Sequence, residues 1–187
     1  EFLRRGKYYE NGYGGLFKAS IFYKNRGKMS GSLQIEEFRI KNAPVLAQII
    51  SSASIIGLLD TLNGNGLSFT KIEGSFDYKD SKLTLNDGVA VGPSLGLTMA
   101  GYEIYGKKQN TVNVNGLVSP VYIINGVVKA IPLIGKVLGG EKGEGVFGVS
   151  YKVQGNSSNP RVLVNPLSIL TPGLFRNIFN IEEKGNK

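Results

Sequence analysis

Apolar and polar residues alternate with a period of two in run after run of this chain, a pattern that few folds accommodate. Phe17, Ala19, Ile21 and Tyr23 share one parity, as do Leu33 and Ile35, Leu83 and Leu85, Val89 and Val91, and Leu95, Leu97 and Met99. Val112 with Val114, and Phe147, Val149, Tyr151 and Val153, continue the series. Each run reads as a half-buried antiparallel strand with one wet face. Asn86-Asp87-Gly88 reads as a turn between the Leu83 and Val89 runs. Between Leu67 and Tyr78 the phase slips, with Leu67 and Phe69 on one parity and Ile72, Phe76 and Tyr78 on the other, which predicts a bulge near Lys71. Gly 26, sited mainly in or beside these runs, permits strong coiling of a sheet. The expected fold is α+β: a strongly curved antiparallel sheet, a trough or partial barrel, with apolar helices packed at its end or face.

The helices are expected in three places. From Ala43 to Leu59 no charge appears, Asn42 is suited to an N-cap and Pro44 to the first turn, and Gly64-Asn65-Gly66 supplies the stop, so one helix is predicted to run up to Asp60. Leu67-Ser68-Phe69 then starts a strand, delivering the helix onto a sheet edge. The helix approaches membrane-spanning length, but Gln48, Ser51, Ser52 and Ser54 spread polar groups around it. A second apolar segment repeats the outline: Ser119 as N-cap, Pro120 at the first position, an interruption at Pro132, then Gly143-Glu144-Gly145-Val146-Phe147 echoing the earlier Gly-x-Gly and strand. A third, amphipathic helix is predicted from Thr171-Pro172, carrying Leu174, Phe175, Ile178 and Phe179 on one side. Glu182 to Lys187 reads as a polar tail.

Length and composition fit one domain with its own core: 187 residues, 41% hydrophobic, mean hydropathy -0.05. Glu1 in place of Met carries the expectation of a piece cut from a longer protein. Cys 0 removes disulfides, thiolate nucleophiles and structural zinc, and His 0 removes the usual general base and the commonest transition-metal ligand, so no enzyme activity, catalytic residue, metal or cofactor is expected. Net charge +8 points to an anionic partner.

Motifs that would specify chemistry fail at required residues. Ala130-Ile131-Pro132-Leu133-Ile134-Gly135-Lys136-Val137 mimics a phosphate loop but lacks its first Gly and its Ser or Thr. Gly64-x-Gly66 has Phe69 where a dinucleotide fingerprint needs Gly, and it follows a helix. Asp77, Asp80 and Asp87 lack calcium-loop spacing and read as turn residues. Arg4, Arg5 and Lys7 with Tyr8 and Tyr9 form the one basic-aromatic cluster, at the chain end, and Lys107-Lys108 fits a polar hairpin turn. The charge is otherwise dispersed, and the uncharged helices favour a lipid partner over nucleic acid.

An ordered series of short segments goes further. Phe38-Arg39-Ile40-Lys41-Asn42-Ala43-Pro44-Val45-Leu46-Ala47, Ser54-Ile55-Ile56-Gly57-Leu58-Leu59-Asp60, Gly92-Pro93-Ser94-Leu95-Gly96-Leu97-Thr98 and Gly116-Leu117-Val118-Ser119-Pro120 come first. Ile131-Pro132-Leu133-Ile134-Gly135, Tyr151-Lys152-Val153-Gln154-Gly155, Val164-Asn165-Pro166-Leu167-Ser168 and Leu170-Thr171-Pro172-Gly173-Leu174 follow. Together they resemble the C-terminal region of AsmA-like proteins of Gram-negative bacteria, the large envelope-spanning kind, from about Gly31 to Phe179. The resemblance implies a periplasmic module of an inner-membrane-anchored protein whose β-groove carries phospholipids between the inner and outer membranes, with no catalytic residue to transfer. The expected organisation is a strand segment at 1–30 continuing an upstream groove, an AsmA-like C-terminal domain at 31–180 and a tail at 181–187. Expected partners are phospholipids or an anionic membrane surface, and envelope proteins, with no nucleic acid. Candidate lipid or membrane contacts are Val45, Leu46, Ile49, Ile50 and Ile56 of the first helix and Leu174, Phe175, Ile178 and Phe179 of the third. Two readings stay open: a non-enzymatic lipid-transfer module, or a capping and docking module for envelope assembly that binds a protein and no lipid. For each apolar residue, an ordinary place in the core is the plain alternative.

Overall fold

A computed structural model describes residues 12–24, 27–55, 57–120 and 148–165. Its centre is an eight-stranded antiparallel sheet in which every strand pairs with its neighbours in the chain: β1 (Gly12–Lys24), β2 (Lys28–Ile40), β3 (Leu67–Lys79), β4 (Lys82–Val91), β5 (Leu95–Ile104), β6 (Thr111–Pro120), β7 (Val149–Asn156) and β8 (Arg161–Asn165). The sheet is not closed, leaving β1 and β8 as its edges. Between β2 and β3 stand two short helices, α1 (Pro44–Ser52) and α2 (Leu58–Asn63).

The alternation places the strands as expected, and directly paired residues share a face. Phe17, Ile35, Ile72, Ala90, Leu97, Val118 and Val149 form one apolar row across seven strands. Ile21, Gly31, Phe76, Leu85, Gly101, Val114, Val153 and Val162 form another across all eight. The opposite face is polar: Ser30, Asp77, Thr84, Tyr102, Asn113, Gln154 and Arg161 line up in a single row. Lys18 pairs there with Glu36 at 3.5 Å and Lys71 with Glu73 at 2.5 Å.

The single helix predicted up to Asp60 is two helices. After Ser52 the chain passes through Ser54 at φ 54 and Gly57 at φ 83, left-handed conformations that no α-helix carries through, and Gly57 becomes the N-cap of α2. Asn42 is not the N-cap either. Ala43 holds that position without a side-chain bond, and Asn42, at φ 46, donates its N–H to the Leu62 carbonyl at 3.4 Å. Pro44 does sit in the first turn, and α2 stops at Gly64-Asn65-Gly66, where Gly66 at φ 84 donates to the Thr61 carbonyl at 2.7 Å. Leu67 opens β3, which is interior to the sheet and not an edge.

Asn86-Asp87-Gly88 is no turn but a bulge inside β4. The register shifts between Glu73 and Phe76 on one side and between Leu85 and Gly88 on the other, so the extra residue belongs to β4. The chain continues because the Asp87 carboxylate accepts the Ser75 N–H at 2.9 Å and the Ser75 hydroxyl, replacing lost ladder bonds. Lys71 itself stays in register with Glu36 and Val91, so no bulge lies there. Asp77 and Asp87 are therefore strand residues, and only Asp80 lies in a turn, beside Ser81 at φ 60. Ser119 and Pro120 close β6, paired with Gly96 and Leu95, instead of opening a helix, a strand-end position that Pro tolerates. The second apolar segment beyond Pro120, the predicted helix from Thr171 and the tail lie outside the described residues.

The buried core joins helices to strands. Ile49, Ile50, Ala53, Ile55 and Leu62 cluster with Leu67 and Phe69 of β3, Ala90, Leu95, Leu97, Val118, and Val149, Tyr151 and Val153 of β7. α1 lies against α2 and against β8, and α2 against β3.

Candidate functional site

The apolar face of the sheet is covered unevenly. Toward the start of β5 and β7 it is closed to solvent: Leu95 is 1% exposed and Val149 2%. Across β1 it is open, with Phe17 47%, Ile21 60% and Tyr23 79% exposed. Leu33, Ile35, Phe76, Leu83 and Leu85, on the same face of β2, β3 and β4, are half-buried. A contiguous open apolar patch rimmed by polar residues is unusual for a folded chain and marks a contact surface. β1 adds to it on its other face, where Leu16 is 57% and Phe22 65% exposed.

One charge interrupts this face. Glu103 of β5 pairs with Leu83 and Val112, in the row that runs from Tyr23 through Met29 and Tyr78, and is the single charged side chain on the apolar face among the described residues. Its Oε1 is buried with no hydrogen-bond donor. Nearer the helices, Tyr151 lies across Gly116 and donates its hydroxyl to the Thr98 carbonyl at 2.8 Å, while Thr98 Oγ1 accepts the Leu117 N–H at 2.9 Å. Only glycine fits at 116, because a Cβ there would run into the Thr98 carbonyl and lie 2.8 Å from the Tyr151 hydroxyl. Burial pushes the Tyr151 phenol well above its ordinary pKa.

The polar face offers a shallow depression of about 370 Å³ lined by Tyr102, Ile104, Thr111, Asn113, Gln154 and Arg161. Beside it the Lys82 ammonium sits 4.0 Å from the centre of the Tyr102 ring. Asp77, one of the acidic trio, accepts from Ser30 at 2.6 Å and from Asn86 at 2.9 Å, so its carboxylate is engaged structurally. No group of three or more potential metal-ligating side chains converges among the described residues. No helix among them is long and apolar enough to cross a membrane.

Of the residues expected to touch lipid, Ile49 and Ile50 are 4% and 0% exposed, facing the core between helix and sheet, and Val45 and Leu46 pack partly buried against that core. Ile56, Leu174, Phe175, Ile178 and Phe179 lie outside the described residues. The open patch on β1 and the carboxylate of Glu103 are not among the residues the sequence points to. Their signal was present: Glu103 falls on the parity of Leu95, Leu97 and Met99, where an apolar residue is due. Compared with family models, curated proteins and solved structures, the chain matches none.

Proposed function

We propose that this chain is a non-enzymatic phospholipid-transfer module, the C-terminal part of a periplasmic β-groove that moves lipids between the inner and outer membranes of a Gram-negative envelope, within an AsmA-like protein anchored in the inner membrane. The observation that carries it is the apolar face that continues across all eight strands, open over β1 and only half-buried at Leu33, Ile35, Phe76, Leu83 and Leu85 of β2 to β4. Acyl chains would be held by burial, and headgroups drawn by the net charge of +8.

A strongly curved trough with the helices at its end is part of this reading. α1 leaves β2 yet lies against β8, six strand spacings along the sheet. Flat strands would set those two roughly 29 Å apart, about twice the ~14 Å length of a nine-residue helix. A curled sheet brings them together. The helix-contacting core residues also fall at one end of the strands: the start of β3, β5 and β7 and the end of β4 and β6.

The competing reading, a capping or docking module that binds a protein and no lipid, is favoured by the β1 edge of the described sheet, where Leu16 and Phe22 are exposed on one face and Phe17, Ile21 and Tyr23 on the other. Ile49→Asp would not separate the two, since a charge placed at a 4% exposed site unfolds the core. Phe17→Asp and Ile21→Asp are placed in the open patch and leave the fold intact. Lipid extracted from the purified chain and quantified by mass spectrometry is expected to be stoichiometric in the wild type and strongly reduced in both variants. A clean wild-type extract, and no uptake from vesicles, would overturn the lipid reading.

A further inference from the structure

Resting on the lipid reading, we propose that Glu103 selects the headgroup of the bound phospholipid, favouring lipids with a protonated primary amine. The carboxylate is the one charge on the apolar face among the described residues, and its buried Oε1 meets no donor. Its direct neighbours across the strands, Leu83 and Val112, have none to give. A buried acceptor without a donor is costly, and an ammonium group supplies both the N–H and the opposite charge.

The geometry fixes a direction for the ligand. From Glu103 to Met99 the same strand runs four residues of apolar face, Gly101 between, before Leu97 enters the buried core. That is roughly 13 Å, most of the length of an acyl chain that fills one leaflet, about half of a ~30 Å hydrocarbon core. A headgroup at Glu103 thus places its chains along the face toward α1 and α2. A phosphate without an amine would meet repulsion at the same carboxylate, so anionic glycerol headgroups are disfavoured.

The test uses the 187-residue chain incubated with vesicles holding equal parts phosphatidylethanolamine, phosphatidylcholine and phosphatidylglycerol, then re-isolated and extracted for mass spectrometry. The wild type is expected to take phosphatidylethanolamine over the other two by roughly fivefold to tenfold, a single charge-assisted contact. Phosphatidylcholine carries the charge without the N–H and isolates the hydrogen bond. Glu103→Gln should lose the preference and take the three headgroups alike, and Glu103→Lys should turn it toward phosphatidylglycerol. Identical ratios in the wild type and Glu103→Gln would sink the assignment while leaving the lipid reading in place. No lipid in the wild type would remove both. Should either variant lose its far-UV circular dichroism, the wild type's own ratio of phosphatidylethanolamine to phosphatidylcholine decides, with equal uptake counting against the proposal.

Discussion

Replacing Tyr151 with Phe removes one oxygen from the core and tests how β5, β6 and β7 are held together. The Tyr151 hydroxyl donates to the Thr98 carbonyl at 2.8 Å, and the residue is 4% exposed. Without it the carbonyl is left in the interior with no donor, at a cost of about 1 to 3 kcal/mol. For a chain of this length that lowers Tm by roughly 4–8 °C at the midpoint of the range. The same hydroxyl makes a pH prediction with a definite sign. Burial raises the folded-state pKa of the phenol above its unfolded value near 10. As pH rises past 10 the unfolded chain therefore releases this proton first, and stability falls. One unit above that value the loss is about 1.4 kcal/mol. Tyr151→Phe has no such proton, so the gap between wild type and variant should narrow by about that amount between pH 7 and pH 11. Urea denaturation followed by circular dichroism at the two pH values measures both quantities. A variant as stable as the wild type at pH 7, or a gap unchanged at pH 11, would refute the hydrogen-bonded, buried placement of the ring.

Two further substitutions probe the core. Ile50→Ala, at a 0% exposed position facing the sheet, should cost about 2 to 5 kcal/mol, whereas Gln48→Ala on the exposed side of the same helix should stay within about 0.5 kcal/mol; equal effects in chemical denaturation would mean α1 does not seal the face. Gly116→Ala drives a Cβ into the Thr98 carbonyl and against Tyr151, and about 2 to 3 kcal/mol of destabilisation is expected; a neutral result by thermal melting would show that β5 and β6 do not approach so closely.

The strands were legible because their signal is local. One-sided burial imposes a period of two, and Phe17 to Ile21 or Leu95 to Met99 carry it without interruption. The errors came where backbone conformation departs from the periodic pattern. Asn86-Asp87-Gly88 has the composition of a hairpin turn, yet Ser75, distant in sequence, supplies the donors that make it a bulge. The Ala43 to Leu59 stretch is uncharged and largely apolar, which points to burial but not to continuity; the break lies in Ser54 and Gly57, two left-handed residues. The same uncharged composition would suit α1 equally to a lipid contact. Burial against a bilayer and burial in a core select the same side chains, and only the fold, which puts Ile49 and Ile50 in one buried cluster with strand residues, distinguishes them.

On the lipid reading, the open half of the face also bears on how tightly a lipid is held. An acyl chain of about 15 methylenes gains about 0.8 kcal/mol for each one fully buried. A flat sheet touches the chain on one side, so about half of that, near 6 kcal/mol, is recovered. That corresponds to binding in the tens of micromolar, and it falls short of what the bilayer itself returns to the same chain. A flat face would therefore never draw a lipid out of a membrane. On the proposed curled trough the balance would change, because such a sheet would meet the chain on several sides and recover more of its burial. A lipid held no more tightly than in either membrane is one that can be passed on.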